Sequence, residues 1–295
     1  MLSQLLIALW RRLGRLPLPW LHGIGRMLGL FFWLIPNRER RTTRINLALC
    51  FPELNASQRE AMCRRTLQQL GCSLMELSAV WFCPMSRVSA FVRRVSGEEN
   101  LQREAGQGLI LLVPHLGCWE IIGLVLPACE QVTSLYRPPR KPQLETLIKQ
   151  ARERSDATLV ATDNQGVRRI YQALRQGGTT CILPDQQPQT SRAAVFAPFF
   201  RQPALTMMLI NRLARKTGAK IVIGYAERLP KGAGYHIHYR PAPAGLDDAD
   251  PQQAAQALNQ ALESVIRECP DQYQWSYKRF RSQPDGLPSP YRDKR

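Results

Sequence analysis

An α/β domain with a mostly parallel central sheet flanked by helices is what this sequence predicts, on three observations. Four short apolar runs, at 109–113 (LILLV), 132–136 (VTSLY), 180–183 (TCIL) and 220–225 (KIVIGY), have the length and composition of buried strands. Helical patterns near 117–126, 142–154, 165–176, 204–217 and 252–268 separate or follow them. The segment 235–240 (YHIHYR) alternates at period two and reads as a later strand, antiparallel at one edge. Ahead of this region, Ser57-Gln58-Arg59-Glu60 has the pattern of a capping box opening a helix that runs to about Phe82. Leu67, Leu70, Leu74, Leu77 and Trp81 recur at spacings of three and four, which makes one apolar face, and Gly71 is the internal breaker. The tail from Gln283, rich in Pro and charge, is expected to be loose.

The first 45 residues carry eight arginines and one acid, Glu39. Two apolar stretches, 16–25 and 27–37, are interrupted by Arg26. A spanning helix needs about 20 mostly apolar residues. The window 16–36 is long enough but contains Pro17, Pro19 and Arg26. An arginine at the bilayer centre costs roughly 2.5–3.5 kcal/mol. A signal peptide is disfavoured, because no small-residue cleavage site follows a clean apolar core. Amphipathic helices lying in the headgroup layer suit the arginines and Trp10, Trp20 and Trp33. Membrane attachment is favoured over a buried core helix; spanning and lying flat both stay open. The expected division is a membrane-anchoring helical segment 1–44, a body 45–282 and the tail 283–295.

Composition narrows the function classes. At 295 residues and 44% hydrophobic, the chain can bury a sizeable core and is not intrinsically disordered. Its 40 Lys+Arg against 23 Asp+Glu leave a net charge of +17, which favours phosphates, anionic lipid or an acidic partner protein. Of these cations 33 are Arg, and codon bias accounts for that choice better than for the shortage of acids. The eight cysteines contain no CxxC pair, which argues against a zinc ribbon or a thioredoxin-like motif. Several lie in apolar runs and read as reduced, buried thiols of a cytoplasmic body.

The chemistry concentrates at strand ends. His115 and Glu120 (V-P-H-L-G-C-W-E, 113–120) follow a predicted buried strand and open a helix, where open α/β sheets bind ligands. An imidazole there can deprotonate a hydroxyl, with a carboxylate holding its tautomer. Residues five apart lie about 140° apart around a helix, so His115 belongs to the loop and Glu120 to the first turn. Arg137, Arg140 and Lys141 follow the second strand, Arg152 and Arg154 lie late in the next helix, and Asp185-Gln186 follow the third strand. Singly each reads as a surface charge or turn residue; together they read as a catalytic rim. A metal site is disfavoured: there is no HExxH, and His236 and His238 read as sheet residues.

With these residues assembled, the chain resembles the late (secondary) acyltransferases of lipid A biosynthesis. The resemblance is carried by R-x-N-L at 44–47, FPEL at 51–54, H-x4-E at 115–120, YRP at 136–138, PDQ at 184–186, and VFAPFF at 195–200 followed by Thr206. H-x4-D/E alone is shared by the wider glycerolipid acyltransferase superfamily. The resemblance implies a glycerolipid-acyltransferase-like fold on the cytoplasmic face of a bacterial inner membrane. It implies transfer of a lauroyl- or myristoyl-length chain, hydroxylated or not, from acyl-acyl carrier protein to a hydroxyl of a lipid A precursor, with no metal or cofactor. Residue by residue, it makes His115 the general base and Glu120 its orienting partner. Arg137, Arg152, Asp185 and Thr206 take the other functional positions. A reduced threonine stretch at 204–208 and a less clean anchor leave chain length and acceptor position open.

The expected reaction is direct transfer, with backbone N–H groups near Gly117 receiving the oxyanion. Cys118 is discounted as a nucleophile because nothing places a base beside it. The alternative enzyme is a same-fold acyltransferase acting on a lysophospholipid, ornithine lipid or glycolipid. A nucleic-acid-binding protein is disfavoured by the absence of any such motif. A non-enzymatic membrane scaffold would leave His115→Ala without biochemical effect.

Overall fold

A computed structural model describes residues 2–128, 130–136, 142–188 and 193–292. Three helices open the chain: α1 (Leu2–Leu13), α2 (Leu18–Leu34) and α3 (Arg38–Cys50). The expected boundary between Arg44 and Ile45 falls inside α3. Helix α4 (Ala56–Phe82) follows the leucine periodicity, but its capping box is Asn55 with Gln58, not Ser57 with Glu60. Asn55 Oδ1 accepts from Gln58 N at 2.9 Å, and Gln58 Oε1 accepts from Asn55 N at 2.8 Å. A short α5 (Met85–Ala90) leads to the edge strand β1 (Val92–Ser96).

The predicted alternation follows: β2 (Leu109–Leu112), α6 (Trp119–Val125), β3 (Thr133–Tyr136), α7 (Pro142–Glu153), β4 (Thr158–Ala161), α8 (Asn164–Arg175) and β5 (Thr179–Ile182). Next come β6 (Ala194–Phe199), β7 (Gln202–Met207), α9 (Leu209–Thr217), β8 (Lys220–Arg228), β9 (Tyr235–Pro241) and α10 (Pro251–Glu268). The main sheet has the order β1-β9-β8-β2-β5, parallel except for the β8–β9 pair. A parallel β3–β4 pair stands beside β5, touching it through the Val132–Thr179 bridge. Two apolar cores lie on opposite faces of the sheet: Ile110, Leu112 and Ile223 point into one, Leu109, Leu111 and Val222 into the other.

Three expectations need correction. Residues 204–207, read as the start of a helix, belong to β7, and the helix begins at Leu209. The β6–β7 hairpin turns on Phe200 and Arg201, both at positive φ (47° and 64°), with no Gly, Asn or Asp to announce the turn. Strand β9 is antiparallel to β8 as expected but not at the edge, because β1 adds beyond it. The middle of β1 is exposed, so its sequence shows no buried run. The C-terminal tail is anchored by buried Tyr291, whose hydroxyl donates to Asn46 Oδ1 at 2.5 Å and accepts from Phe280 N at 3.1 Å.

The N-terminal helices are bolted to α4. Leu18, Leu21, His22, Gly25 and Gly29 of α2 are buried. A Cβ on Gly71 would stand 1.9 Å from Gly25 O, and one on Gly29 would stand 2.2 Å from Leu67 O. The breaker in α4 is thus the point of closest helix contact.

Candidate active site

Parallel pairing of β2 with β5 builds the centre. Leu112 pairs with Ile182, and three residues further on each chain lie His115 and Asp185. The strands emerge as Val-Pro-His and Leu-Pro-Asp, and Val113 N donates to Ile182 O at 2.9 Å to carry the pairing one residue past the strands. His115 Nδ1 donates to Asp185 Oδ1 at 2.8 Å, and His115 backbone N donates to Asp185 Oδ2 at 3.0 Å. With Nδ1 protonated, Nε2 keeps its lone pair, which accepts from Gln186 Nε2 at 3.1 Å. Burial alone would raise the Asp185 carboxyl, but His115 and the backbone donor outweigh it and hold Asp185 below the usual range.

Glu120 sits in the first turn of α6 as expected, but its bonds go elsewhere. Arg152 grips it through Nε at 3.0 Å and through a second, shorter contact from Nη2, and Trp81 Nε1 donates to it at 3.2 Å. Burial pushes Glu120 upward, and the Arg152 charge and hydrogen bonds overcome that, keeping it ionised. The orienting carboxylate of His115 is therefore Asp185 rather than Glu120. Glu120 instead ties α6 to α7 and to the end of α4.

The loop between His115 and Glu120 is held from below. Gly117 adopts φ +61°, and a Cβ there would lie 1.9 Å from Ala226 O, so glycine is required on both counts. Gly117 N donates to Gln272 O at 3.1 Å and Cys118 N to Ala226 O at 2.8 Å. These two N–H groups are spent on the fold, so Gly117 and Cys118 do not supply the expected backbone oxyanion donors. Cys118 is buried, and burial pushes its thiol well above the ordinary range, so it stays protonated.

Beneath the loop lies a polar cluster that sequence reading missed. Arg228 of β8 bonds Glu76 of α4 through Nε (2.7 Å) and Nη2 (2.6 Å), and Nη2 also donates to Gly117 O at 2.8 Å and Ser73 Oγ at 2.7 Å. Tyr235 Oη (2.9 Å) and His22 Nε2 (3.1 Å) complete the shell around Glu76 Oε2. Burial opposes ionisation of Glu76, but Arg228 and His22 prevail and lower its pKa to about 2. The signal was there: Glu76 is the one acid within the run LMELSAVWF (74–82).

A narrow apolar cleft of about 70 Å³ adjoins the centre, with Val113, Leu135, Leu159 and Leu183 among its walls and Glu120 and Arg152 as polar groups. Trp119 also lines it, with its ring centroid 5.0 Å from that of His115. Thr206 is fully buried, donating to Ala204 O at 2.9 Å and accepting from Asn259 and Arg279, and it is not among the residues lining the cleft. Arg137, Arg140 and Lys141 lie outside the described residues. Glu227, His236 and His238 place donor atoms within 4.8 Å of one another on the β8–β9 ladder. They bond each other and Ser96, and the charges of Arg94 and Arg240 reach His236.

An imidazole oriented by a carboxylate, next to an apolar slot, agrees with what sequence comparison finds. The profile of the bacterial lipid A biosynthesis acyltransferases matches residues 1–282. The chain is 31% identical to a lipid A biosynthesis palmitoleoyltransferase of Escherichia coli K12, covering 94% of this chain and 90% of the relative. It is 30% identical to the lauroyltransferase of the same strain over 94% and 90%, and 26% identical to its myristoyltransferase over 90% and 83%. The full-length match and the extent of identity place this chain in the bacterial lipid A biosynthesis acyltransferase family, as an acyltransferase of that pathway.

Proposed function

We propose that the protein transfers a fatty acyl chain from acyl-acyl carrier protein to a hydroxyl of a lipid A precursor, with His115 as general base. The observation that carries this is the Asp185–His115 pair, which leaves Nε2 as the basic nitrogen at the sheet's C-terminal edge. The acceptor hydroxyl takes the place of the Gln186 amide at Nε2 and gives up its proton as its oxygen attacks the thioester carbonyl. Collapse of the tetrahedral intermediate breaks the C–S bond, and the imidazolium returns the proton to the departing thiolate. An ester and a free carrier thiol result. Gln186 Nε2, displaced from His115, is placed to donate to the oxyanion, the role the occupied Gly117 and Cys118 amides cannot fill. Arg152 and Glu120 act as a clamp that positions α6 and one wall of the cleft. The acyl chain enters that cleft, and chains of about lauroyl to myristoyl length are the proposed donors. Arg137 stays a proposed substrate contact on sequence grounds.

The bound surface is a membrane, and α2 lies flat on it. Among the described residues no single helix is long and apolar enough to cross a bilayer, and the α2–α3 pair that passes on composition bends by 81°. One face of α2 is committed to α4, and the other exposes Trp20 (68%), Ile24, Met27 (67%), Phe31 and Leu34 (60%) at spacings of four, three, four and three. An outward apolar stripe flanked by arginines is the signature of an interfacial helix. This supports a bacterial inner-membrane location with the catalytic body on the cytoplasmic face. A same-fold enzyme for another lipid acceptor remains the competing reading.

The test supplies the full-length protein with lauroyl-, myristoyl- and palmitoleoyl-acyl carrier protein and a tetra-acylated lipid A precursor, with mass spectrometry of the lipid. The expected result is a gain of one acyl chain, reduced at least about 10²-fold in His115→Ala. No gain with any donor, or full activity in His115→Ala, overturns the reading.

A further inference from the structure

A second cleft opens beside the proposed centre, between α1, the end of α4, α5 and α7, with a volume of about 560 Å³. Its walls carry three guanidinium groups, Arg11, Arg15 and Arg87, and no carboxylate. None of the three has an acidic partner within 4.0 Å among the described residues, although the molecule pairs Arg44, Arg103, Arg152, Arg228 and Arg240 with acids elsewhere. Three unneutralised cations around one concavity raise the local potential for an anion well above that of a single exposed arginine.

The cleft is also prepared structurally. Arg87 is held by donating from Nη2 to Leu16 O at 2.6 Å and lies over the Phe91 ring at 5.7 Å, so part of its ordering cost is met before any ligand arrives. Arg11 lies over the Phe82 ring at 5.1 Å. Trp10 packs edge-on against Trp81 at 5.4 Å and Phe82 at 5.8 Å, which seats α1 on α4. Arg154 reaches from α7 to the carbonyls of Val80 and Cys83 and fixes the opposite wall. The position matters most. Trp81 lines this cleft and donates to Glu120 in the first one, and Ala151, next to Arg152, lines it too. One wall therefore separates a basic, aromatic-lined cleft from the apolar slot beside His115.

We propose that this cleft holds a phosphate group of the lipid acceptor, with Arg11, Arg15 and Arg87 as its ligands, while the acceptor's hydroxyl reaches His115. The inference rests on the acyl-transfer reading and adds the group by which the acceptor is recognised. Guanidinium groups bind phosphate oxygens bidentately, and the aromatic rim suits the apolar body of a lipid. A free phospholipid headgroup has the same chemistry and is separated from the acceptor by competition.

The experiment uses the full-length protein in neutral-detergent micelles with a tetra-acylated disaccharide lipid, either phosphorylated or stripped of phosphate. Wild type is compared with Arg11→Gln/Arg15→Gln and with Arg87→Lys. In the double variant, KM for the phosphorylated acceptor is expected to rise about 10- to 100-fold while KM for the acyl carrier donor is unmoved. On the stripped acceptor, wild type and double variant should coincide. A parallel rise in KM for both acceptors means general membrane attraction, and a rise in KM for the donor means carrier docking; either overturns the proposal. Equal competition by dioleoyl phosphatidate overturns the acceptor assignment in favour of a phospholipid seat. Binding is read separately by the anisotropy of a labelled acceptor. Phosphate- and arginine-dependent binding without turnover sustains the cleft and sinks the acyl-transfer reading. Turnover indifferent to phosphate does the reverse.

Discussion

Nδ1 of His115 is spent on Asp185, which leaves Nε2 as the nitrogen that the proposed mechanism turns toward the acceptor. An amide in place of Asp185 removes the anion that supports the imidazolium and weakens the hold on the tautomer. Asp185→Asn should therefore lower kcat by about 10²–10⁴-fold. Glu120→Gln keeps the shape of the Arg152 clamp but loses its charge, and should cost at least tenfold less in kcat than Asp185→Asn. Steady-state kinetics of the two variants side by side decide between these carboxylates. If Glu120→Gln is the more damaging, Glu120 rather than Asp185 serves His115 during turnover.

Among the elements, α2 and α6 carry the sharpest consequences. The exposed stripe of α2 predicts that Met27→Glu/Phe31→Glu leaves folding intact, since both side chains point away from α4. It should reduce co-flotation with anionic phospholipid vesicles by about tenfold or more, because two apolar contacts become two anions at an anionic surface. Undiminished flotation would place the membrane contact elsewhere. In α6, Gly123 lines the apolar cleft, and a Cβ added there meets nothing within 4 Å. Gly123→Leu should fold normally and shorten the acyl chain transferred, seen as a donor profile shifted by two or more carbons toward shorter chains. An unchanged profile would mean that the chain lies outside this cleft.

For the whole molecule, the Glu76–Arg228 cluster is the joint between the N-terminal helices and the sheet that carries the candidate site. It links α2 through His22, β9 through Tyr235 and the loop between His115 and Glu120 through Gly117 O. The folded pKa of Glu76, about 2, lies below its ordinary 4.5. Its contribution to stability is therefore complete above pH about 4.5 and is lost as pH falls from there toward 2. Acid titration followed by circular dichroism should show stability falling across that window. In Glu76→Gln the neutral-pH stability should drop by about 3–5 kcal/mol, as Arg228 is left buried without its anion, and this component of the acid dependence should vanish. An identical acid profile in the variant would rule out Glu76 as its source.

Strand runs such as LILLV and KIVIGY are local signals, and the sequence by itself determined the parallel sheet, the long α4 helix and the placing of His115 in a loop ahead of Glu120. It also determined the family, because motifs from 44–47 to Thr206 are matters of residue type and spacing. Which carboxylate meets His115 was not legible, since the choice depends on the register of β2 against β5, a contact between residues 70 positions apart. The β6–β7 hairpin stayed hidden because its turn is closed by Phe200 and Arg201 in conformations usually left to Gly or Asn. Gly71 looked like a flaw in a helix until α2 was seen against it. Local pattern specifies elements, whereas the partners of buried charges and the need for a missing Cβ arise only when distant segments come within a few ångströms. Tertiary structure alone decided those.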